Sequence, residues 1–460
     1  MLILHEQQKQ VRLNPARFKI IRAGRRSGKT IFETEDMTFE AVNKKDSPIF
    51  YIAPTQAQAR AIIWENLKAR LAGIGKANEQ RLEMTVPTKD GGTSIISVAG
   101  WENRENFRGR KAKKIYFDEV DTMKDFFIGW QEIFRPALTD LRGEAIFSGT
   151  PKKENPNLRR LEKIAKTDKD YACFHFKTSD NPHINSTEIL KAQEESDQDT
   201  FRQEYLAEYI DNAGSLFHYD SLLDVFTNTV TKEKGKYLIV DVADDGSDKT
   251  IFSFWEDLEE YRREEFAHLN TESIINQTRE YATQDKIPYS HIACDAIGVG
   301  AGVASSSLLN GIIGYKSSYQ AIKTDASIVA LPNVGYTKIP YVSDYRNLRS
   351  QCIFTLANLV NEHKIASKVT GRFKENIIKE LAVYQDASTG DGKRMATPKE
   401  NVKEIIGRSP DHSDTWIMRM YFVIMGKMSP EQSEEKARAV ERQKRQFEIN
   451  KHKILSNSSK

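Results

Sequence analysis

The chain has 460 residues, which is long for one hydrophobic core and favours two domains. Its net charge is only +3 and 39% of its residues are hydrophobic, so any nucleic-acid surface must come from local clusters of basic residues. Three widely spaced cysteines argue against a disulfide framework or a zinc site, and no apolar run has signal-peptide form or reaches the ~20 residues of a membrane span, which together predict a cytosolic protein.

A phosphate-binding loop is predicted near the start of the chain. An apolar strand from Phe18 runs into a loop that ends in Gly28-Lys29-Thr30. In the pattern G-x-x-x-x-G-K-[ST], backbone N–H groups surround a β-phosphate, the lysine reaches the β/γ oxygens and the hydroxyl binds Mg²⁺. The predicted nucleotide-binding residues are Ala23, Gly24, Arg25, Arg26, Ser27, Gly28, Lys29 and Thr30. Ala23 replaces the first glycine of the pattern, and a plain basic turn is the alternative.

Alternating strands and helices follow. Residues 4–11 predict a short polar helix whose Gln8 either reads an adenine edge or is a solvated surface residue. Residues 31–42 predict a helix that carries the loop at its N-terminus, where the helix dipole favours phosphate. A strand at 48–55, a helix at 56–72 and a hairpin at 85–98 come next. This order predicts a parallel sheet with its site at the carboxyl ends of the strands.

Two further strands end in polar residues. Residues 114–121 contain Asp118, which suits a Mg²⁺ ligand, and Glu119, which suits the residue that polarises the attacking water. Residues 144–151 contain Ser148-Gly149-Thr150, whose hydroxyls can sense a γ-phosphate. An acidic turn is the alternative for the two carboxylates. Between the hairpin and the acidic strand, the basic cluster 106–114 is either a solvated loop or places an arginine at a phosphate.

The pattern changes after residue 171. A short strand at 174–178 and helices at 186–196 and 199–209 precede a break at residues 212–215. We therefore predict an ATPase domain over 1–212, a linker over 213–231, a second domain over 232–427 and a charged tail over 428–460. The tail either contacts DNA or a partner, or is a frayed terminus.

Acidic residues mark the second domain. Asp241 ends an apolar strand, antiparallel strands at 250–255 and 261–268 and a helix at 271–283 follow, and Asp295 ends the next strand. Asp411 and Asp414 lie one turn apart at the start of a later helix. This order is typical of a ribonuclease-H-like domain, and its acids predict two-metal phosphodiester hydrolysis with Mg²⁺ or Mn²⁺. His291 and His412 lie nearby and are interpreted as structural.

An ATPase with these motifs followed by such a nuclease resembles the large terminase subunit of tailed double-stranded DNA bacteriophages, over about residues 1–425. The resemblance implies a packaging motor that uses ATP and Mg²⁺ to drive double-stranded DNA through a portal into a procapsid, and a nuclease that cuts the concatemer. It implies the portal protein and the small terminase subunit as partners, a homo-oligomeric ring on the portal, and the host cytoplasm. Whether the protein is a monomer in solution is left open by the resemblance.

The resemblance also implies residue roles. Arg25 would contact the γ-phosphate, Gln8 the adenine, and Arg108 the site of the adjacent subunit, with Arg110 as its competitor. Residues 148–150 would be the coupling motif. In the nuclease, the implied metal ligands are Asp241, Asp295 and Asp414, with Asp411 as auxiliary and Asp248 as a further candidate.

Two alternatives belong to other classes. A helicase-like ATPase fused to a DNA-repair nuclease requires further motifs on a second ATPase-like lobe, which the residues after 230 do not offer. A DNA-binding structural protein with degenerate sites would lack Lys29, Glu119 or Asp241, all of which are present.

Overall fold

The computed structural model describes residues 4–152, 156–210, 214–231, 235–243, 249–322, 329–331, 335–337, 345–389 and 392–426. The acidic loop that contains Asp248 and the charged tail 428–460 lie outside these ranges. The chain divides into two compact units, residues 1–212 and 213–460, and each unit has its own sheet and core. No helix in the described ranges is long and apolar enough to cross a membrane.

The first unit alternates strands and helices as predicted. Its elements are α1 (Glu6–Leu13), β1 (Phe18–Ala23), α2 (Lys29–Asn43), β2 (Pro48–Ala53), α3 (Gln56–Ala59), α4 (Glu65–Arg70), β3 (Lys76–Asn78), β4 (Glu83–Pro87), β5 (Thr93–Gly100), β6 (Lys114–Phe117), α5 (Phe126–Gly129), α6 (Arg135–Ala137), β7 (Glu144–Gly149), α7 (Asn157–Ala165), β8 (Tyr171–Phe176), α8 (Ser186–Glu195) and α9 (Gln198–Glu204). The π-helical segment Arg60–Trp64 joins α3 to α4. The helix predicted over 56–72 is therefore continuous through these segments, with a local change of pitch.

The sheet of this unit has the order β3-β4-β5-β2-β6-β7-β1-β8. From β5 to β8 all neighbouring strands are parallel, and the predicted hairpin is the antiparallel pair β4–β5. Alternate residues of β1 enter different cores: Phe18 and Ile20 pack on one face and Ile21 on the other. Helices therefore cover both faces, and the carboxyl ends of β6, β7 and β1 meet at one edge.

The helix predicted over 199–209 is shorter in the structure. It ends at Glu204, because the Tyr205 carbonyl accepts a hydrogen bond from the Thr178 backbone and Ala207 has a positive φ of 52°. Arg22 on β1 donates to the Ala207 carbonyl. The end of α9 is thus turned against the sheet next to the phosphate loop.

The second unit contains a mixed sheet with helices around it. Its elements are α10 (Tyr219–Asp224), β9 (Lys236–Asp241), β10 (Lys249–Glu256), β11 (Glu259–Ala267), α11 (Thr271–Gln284), β12 (Ile292–Asp295), α12 (Gly300–Ala304), β13 (Ile313–Tyr315), β14 (Val329–Leu331), β15 (Gly335–Thr337), α13 (Leu348–Asn361), β16 (Ala366–Ser367), α14 (Gly371–Leu381), α15 (Lys399–Ile406) and α16 (Asp411–Met425). The main sheet has the order β13-β12-β9-β10-β11-β16, with β9–β10 and β10–β11 antiparallel and β9–β12 parallel. This is the predicted ribonuclease-H-like arrangement, and the predicted α/β fold class is confirmed.

The segment predicted as a linker is corrected by the structure. Phe217, Leu222 and Val225 are buried in the core of the second unit, and the Leu216 backbone donates to the Tyr384 carbonyl at 3.0 Å. Their apolar side chains stabilise the unit by burial. Most of the described residues between 214 and 231 therefore begin the second unit.

Candidate functional site

The phosphate loop follows β1 directly. At Gly24 an added Cβ would lie 2.5 Å from the Tyr205 carbonyl oxygen, so only glycine fits there. Gly28 has a φ of 97° and caps α2, and a Cβ there would lie 2.8 Å from Gln8 Nε2. Ala23 is the fully buried last residue of β1. The close backbone approach therefore occurs one residue after Ala23, which explains why the loop tolerates alanine at that position.

Lys29 lies against the two acids at the end of β6. Its Nζ lies 2.6 Å from Asp118 Oδ1 and also pairs with Glu119 Oε1. Burial alone would lower the pKa of Lys29, but the charges of Asp118 and Glu119 outweigh burial and raise it. Thr150 donates its backbone N–H to Glu119 Oε2 at 3.3 Å. The ends of β6 and β7 and the start of α2 thus form one polar cluster.

A buried acid that the sequence analysis did not identify completes this cluster. Glu33 lies one turn after Lys29 on α2, and its Oε1 is 2.5 Å from the Ser148 hydroxyl, which is itself 3.4 Å from Asp118 Oδ1. Tyr51 donates to Asp118 Oδ2 at 2.5 Å. Burial and the nearby Asp118 charge raise the pKa of Glu33 well above its usual value. Ser148 therefore links α2 to the acidic strand.

Gln8 and Arg25 have defined partners in this structure. Gln8 is buried, donates to the Gly28 carbonyl at 2.9 Å and accepts from the His5 backbone at 3.0 Å. It supports the loop, and its adenine contact stays a prediction. Arg25 donates through Nε to Glu204 Oε2 at 2.5 Å, and its side chain is 68% exposed.

The two candidate arginines of the basic cluster differ in their surroundings. Arg110 lies over the Phe50 and Phe107 rings, so its guanidinium is packed against the fold. Arg108 is half exposed and pairs with Glu105 at 2.6 Å and Glu132 at 3.1 Å. The side chain of Arg108 is 49% exposed and that of Arg110 is 38% exposed, so Arg108 is the slightly more accessible of the two to a neighbouring subunit.

The nuclease acids line one cavity of about 490 Å³ in the second unit. Asp241 ends β9, Asp295 ends β12, and Asp411 and Asp414 lie in the first turn of α16. Burial, together with the charges of the other acids, raises the pKa of Asp241 well above its usual value, and burial raises that of Asp295 to about 6. At Gly300 an added Cβ would meet the Asp295 carbonyl at 2.1 Å, so glycine lets α12 begin here.

Two cations that the sequence analysis missed reach the same cavity. Lys399 Nζ lies 2.7 Å from Asp414 Oδ2, and Arg349 donates to Asp414 Oδ1 at 2.9 Å. Lys399 is the first residue of α15, and Arg349 lies in the first turn of α13. Among the described residues, no three acidic, histidine or cysteine side chains converge as ligands of one ion. The four acids therefore line one cavity, and Asp414 is paired there with Lys399 and Arg349.

The two nearby histidines have structural contacts. His412 contacts Arg263 at 3.2 Å and Asn376 at 2.9 Å, and burial lowers its pKa to about 4. His291 stacks on Tyr237 with ring centroids 4.6 Å apart. Both contacts agree with the structural interpretation.

This chain is similar in sequence to known terminase large subunits. Residues 20–224 match the family model described as terminase large subunit, T4likevirus-type, N-terminal. A terminase large subunit of Thermus virus P23-45 is 23% identical over 454 residues and covers 87% of this chain and 91% of its own. Residues 20–224 thus match the terminase large subunit family, and the relative that spans most of the chain carries the same description. The predicted resemblance to large terminase subunits is confirmed, and these similarities support the predicted packaging function and the ATPase and nuclease activities.

Two solved terminase structures are also similar to this chain. The ATPase domain from Thermus phage P74-26 is 24% identical over 45% of this chain and 94% of that domain, with a TM-score of 0.40. The large terminase of the thermophilic bacteriophage D6E is 14% identical over 90% of this chain and 98% of its own, with a TM-score of 0.41.

The phosphate loop carries groups that suit a phosphate. The Ser27 hydroxyl is buried and has no hydrogen-bond partner among the described residues. Thr30 lies in the first turn of α2, where the helix dipole favours an anion. In the nuclease, Asp295 Oδ1 is likewise buried without a partner among the described residues, and carboxylate oxygens suit hard divalent ions.

Proposed function

We propose that this protein is a viral DNA-packaging motor subunit in which ATP hydrolysis drives double-stranded DNA into a procapsid and a two-metal endonuclease cuts the concatemer. The observation that carries the ATPase half is the meeting of Lys29, Asp118 and Glu119 at the edge where β6, β7 and β1 end. Of the two activities, only ATP hydrolysis needs a nucleotide.

In the ATPase, Lys29 would bind the β/γ-phosphates, and Thr30 and Asp118 would hold Mg²⁺, which neutralises charge on the phosphates. Glu119 would polarise the attacking water, since its carboxylate lies at the end of β6 beside Lys29. Arg25 would contact the γ-phosphate and residues 148–150 would couple its loss to motion of β7.

In the nuclease, Asp241, Asp295 and Asp414 would hold divalent ions, with Asp411 as auxiliary, and these ions activate water and stabilise the leaving oxygen. Lys399 lies in the same cavity and would neutralise charge on the scissile phosphate. Mg²⁺ would be the ion in both units, with Mn²⁺ as a substitute in the nuclease.

The partners follow from this function. The motor would act on double-stranded DNA as a homo-oligomeric ring on the portal protein, receive DNA from a small terminase subunit, and work in the host cytoplasm. The helicase alternative is not favoured, because the main sheet of the second unit has ribonuclease-H-like rather than ATPase-like strand order.

The test separates the two activities in one full-length preparation. ATP hydrolysis and plasmid cleavage are measured with Mg²⁺, Mn²⁺ or EDTA. Lys29→Ala should abolish hydrolysis and leave plasmid cleavage, whereas Asp295→Asn should do the reverse. Glu65→Gln, an exposed glutamate on α4, is the matched control. Loss of both activities in either folded single variant, or neither activity in the unaltered protein, would contradict the proposal.

A further inference from the structure

Glu204 accepts hydrogen bonds from two cations beside the phosphate loop. Its Oε2 binds Arg25 Nε at 2.5 Å and its Oε1 binds Lys152 Nζ at 2.5 Å, while the Glu204 side chain is only 13% exposed. The Glu204 carbonyl also accepts from the Arg25 backbone at 2.7 Å. One residue at the end of α9 therefore holds both the backbone and the side chain of the loop arginine.

Lys152 is anchored close to the hydrolytic residues. It lies two residues after Thr150, whose backbone donates to the Glu119 carboxylate. The Lys152 backbone donates to Asp121 Oδ2 at 3.0 Å, and Asp121 follows the acidic end of β6. The loop after β7 thus starts from the cluster around Glu119 and brings the Lys152 ammonium to the carboxylate that also holds Arg25.

The arrangement leaves one carboxylate between two cations. A γ-phosphate carries more negative charge than a carboxylate and offers more acceptor oxygens, so it competes well for both cations when it arrives beside the loop. ADP lacks that group. We propose that Lys152 is a second γ-phosphate-binding cation, and that Glu204 holds Lys152 and Arg25 until the γ-phosphate of ATP replaces it.

This inference rests on the proposed ATPase function and adds two residues to it. The exchange involves side chains only, because the bond between the Arg25 backbone and the Glu204 carbonyl needs no change when the guanidinium turns. Lys152 binds nucleotide in this scheme, whereas Glu204 is a positioning residue that acts through Arg25 and Lys152. The expected signature is a change in the preference for ATP over ADP.

The experiment measures binding of ADP and of a non-hydrolysable ATP analogue to the full chain in the presence of Mg²⁺. Lys152→Ala should weaken binding of the analogue about tenfold, the value of one charge-assisted hydrogen bond, and leave ADP binding nearly unchanged. Lys152→Arg should restore the preference for the analogue. Glu204→Gln, which keeps the shape but removes the competing charge, should strengthen binding of the analogue relative to ADP.

Glu208→Gln is the matched control, because Glu208 pairs with Arg202 on the same segment at 2.7 Å and has no role in the scheme. Equal effects of Lys152→Ala on both nucleotides, or an unchanged preference in Glu204→Gln, would overturn the inference while ATP hydrolysis by the unaltered protein keeps the proposed function. If the unaltered protein binds neither nucleotide, the proposed function and this inference fail together.

Discussion

Glu119 has a positive φ of 55°, a conformation that costs a non-glycine residue energy and is concentrated at functional sites. It places the carboxylate beside Lys29 and the Thr150 backbone. Gly149 makes this geometry possible on the β7 side, since an added Cβ there would lie 3.2 Å from the Glu119 α-carbon. The strained backbone and the close glycine both support a catalytic position for this acid.

Replacement of Glu119 tests that position. Glu119→Gln should reduce ATP turnover by about 10²–10⁴-fold, because a positioned base is lost, while ATP binding stays near normal. Turnover is measured by phosphate release and binding by titration with a fluorescent ATP analogue. Near-normal turnover in this variant would contradict the assignment, and Glu65→Gln again serves as the control.

Glu33 makes a second prediction at the residue scale. Burial and the Asp118 charge raise its pKa and so favour the neutral carboxyl, which glutamine resembles in shape, so Glu33→Gln should change the free energy of unfolding by less than about 1 kcal/mol. Glu33→Leu should cost about 1–3 kcal/mol, since the Ser148 hydroxyl loses its 2.5 Å partner and keeps only its longer contacts with Phe117 and Asp118. Denaturant unfolding of both variants measures the difference, and equal destabilisation would contradict the role of Glu33 as a buried hydrogen-bond partner of Ser148.

Among the elements, α2 is the one that joins the site to the core. Its first turn carries Lys29 and Thr30, and two turns later Asp36 accepts hydrogen bonds from Arg12, Lys114 and Tyr116. Burial would raise the pKa of Asp36, but the Lys114 charge and these hydrogen bonds outweigh burial and lower it to about 2. This buried network fixes the helix against the start of β6.

The Asp36 network predicts an acid-dependent loss of stability. A carboxyl whose folded pKa is about 2 and whose ordinary value is 3.8 stabilises the fold above pH 3.8, and this contribution falls as the pH approaches 2. Lowering the pKa from 3.8 to about 2 corresponds to about 2 kcal/mol. Denaturant unfolding of the unaltered protein and of Asp36→Asn should therefore differ less at pH 2 than at pH 5. A difference in unfolding free energy that does not change with pH would contradict the conclusion that Asp36 is ionised in this network.

Elements also show how far sequence reasoning reaches. Apolar runs that end in Asp118, Ser148, Asp241 and Asp295 could be assigned because a strand and its polar tip are adjacent in the chain. Residues that reach a site from another element could not be assigned from the sequence. No local sequence pattern indicates that Lys399 pairs with Asp414 or that Glu204 pairs with Arg25. Asp121 is the exception: it lies three residues after Asp118 and could have been noticed, but its role in accepting from the Lys152 and Leu158 backbones depends on tertiary packing.

At the scale of the whole molecule, the two units carry separate sites with separate cores. Arg108 lies in the ATPase unit, where its half-exposed side chain forms ion pairs with Glu105 and Glu132. An arginine supplied from a neighbour stabilises charge on the γ-phosphoryl oxygens and is worth about 10³–10⁵ in rate. A half-exposed arginine on the surface of the ATPase unit is therefore a suitable candidate for a ring motor with shared sites.

A subunit-mixing experiment tests this role. Arg108→Ala and Lys29→Ala subunits should each be inactive alone, whereas a mixed ring contains interfaces where a Lys29→Ala subunit supplies Arg108 to the intact loop of an Arg108→Ala subunit. In a one-to-one mixture about a quarter of the interfaces have this order, so hydrolysis should recover to a comparable fraction. Arg110→Ala is the control that should not need complementation. If rings form and the mixtures stay as inactive as the parents, Arg108 acts within its own subunit or not at all, and the shared-site motor loses its support.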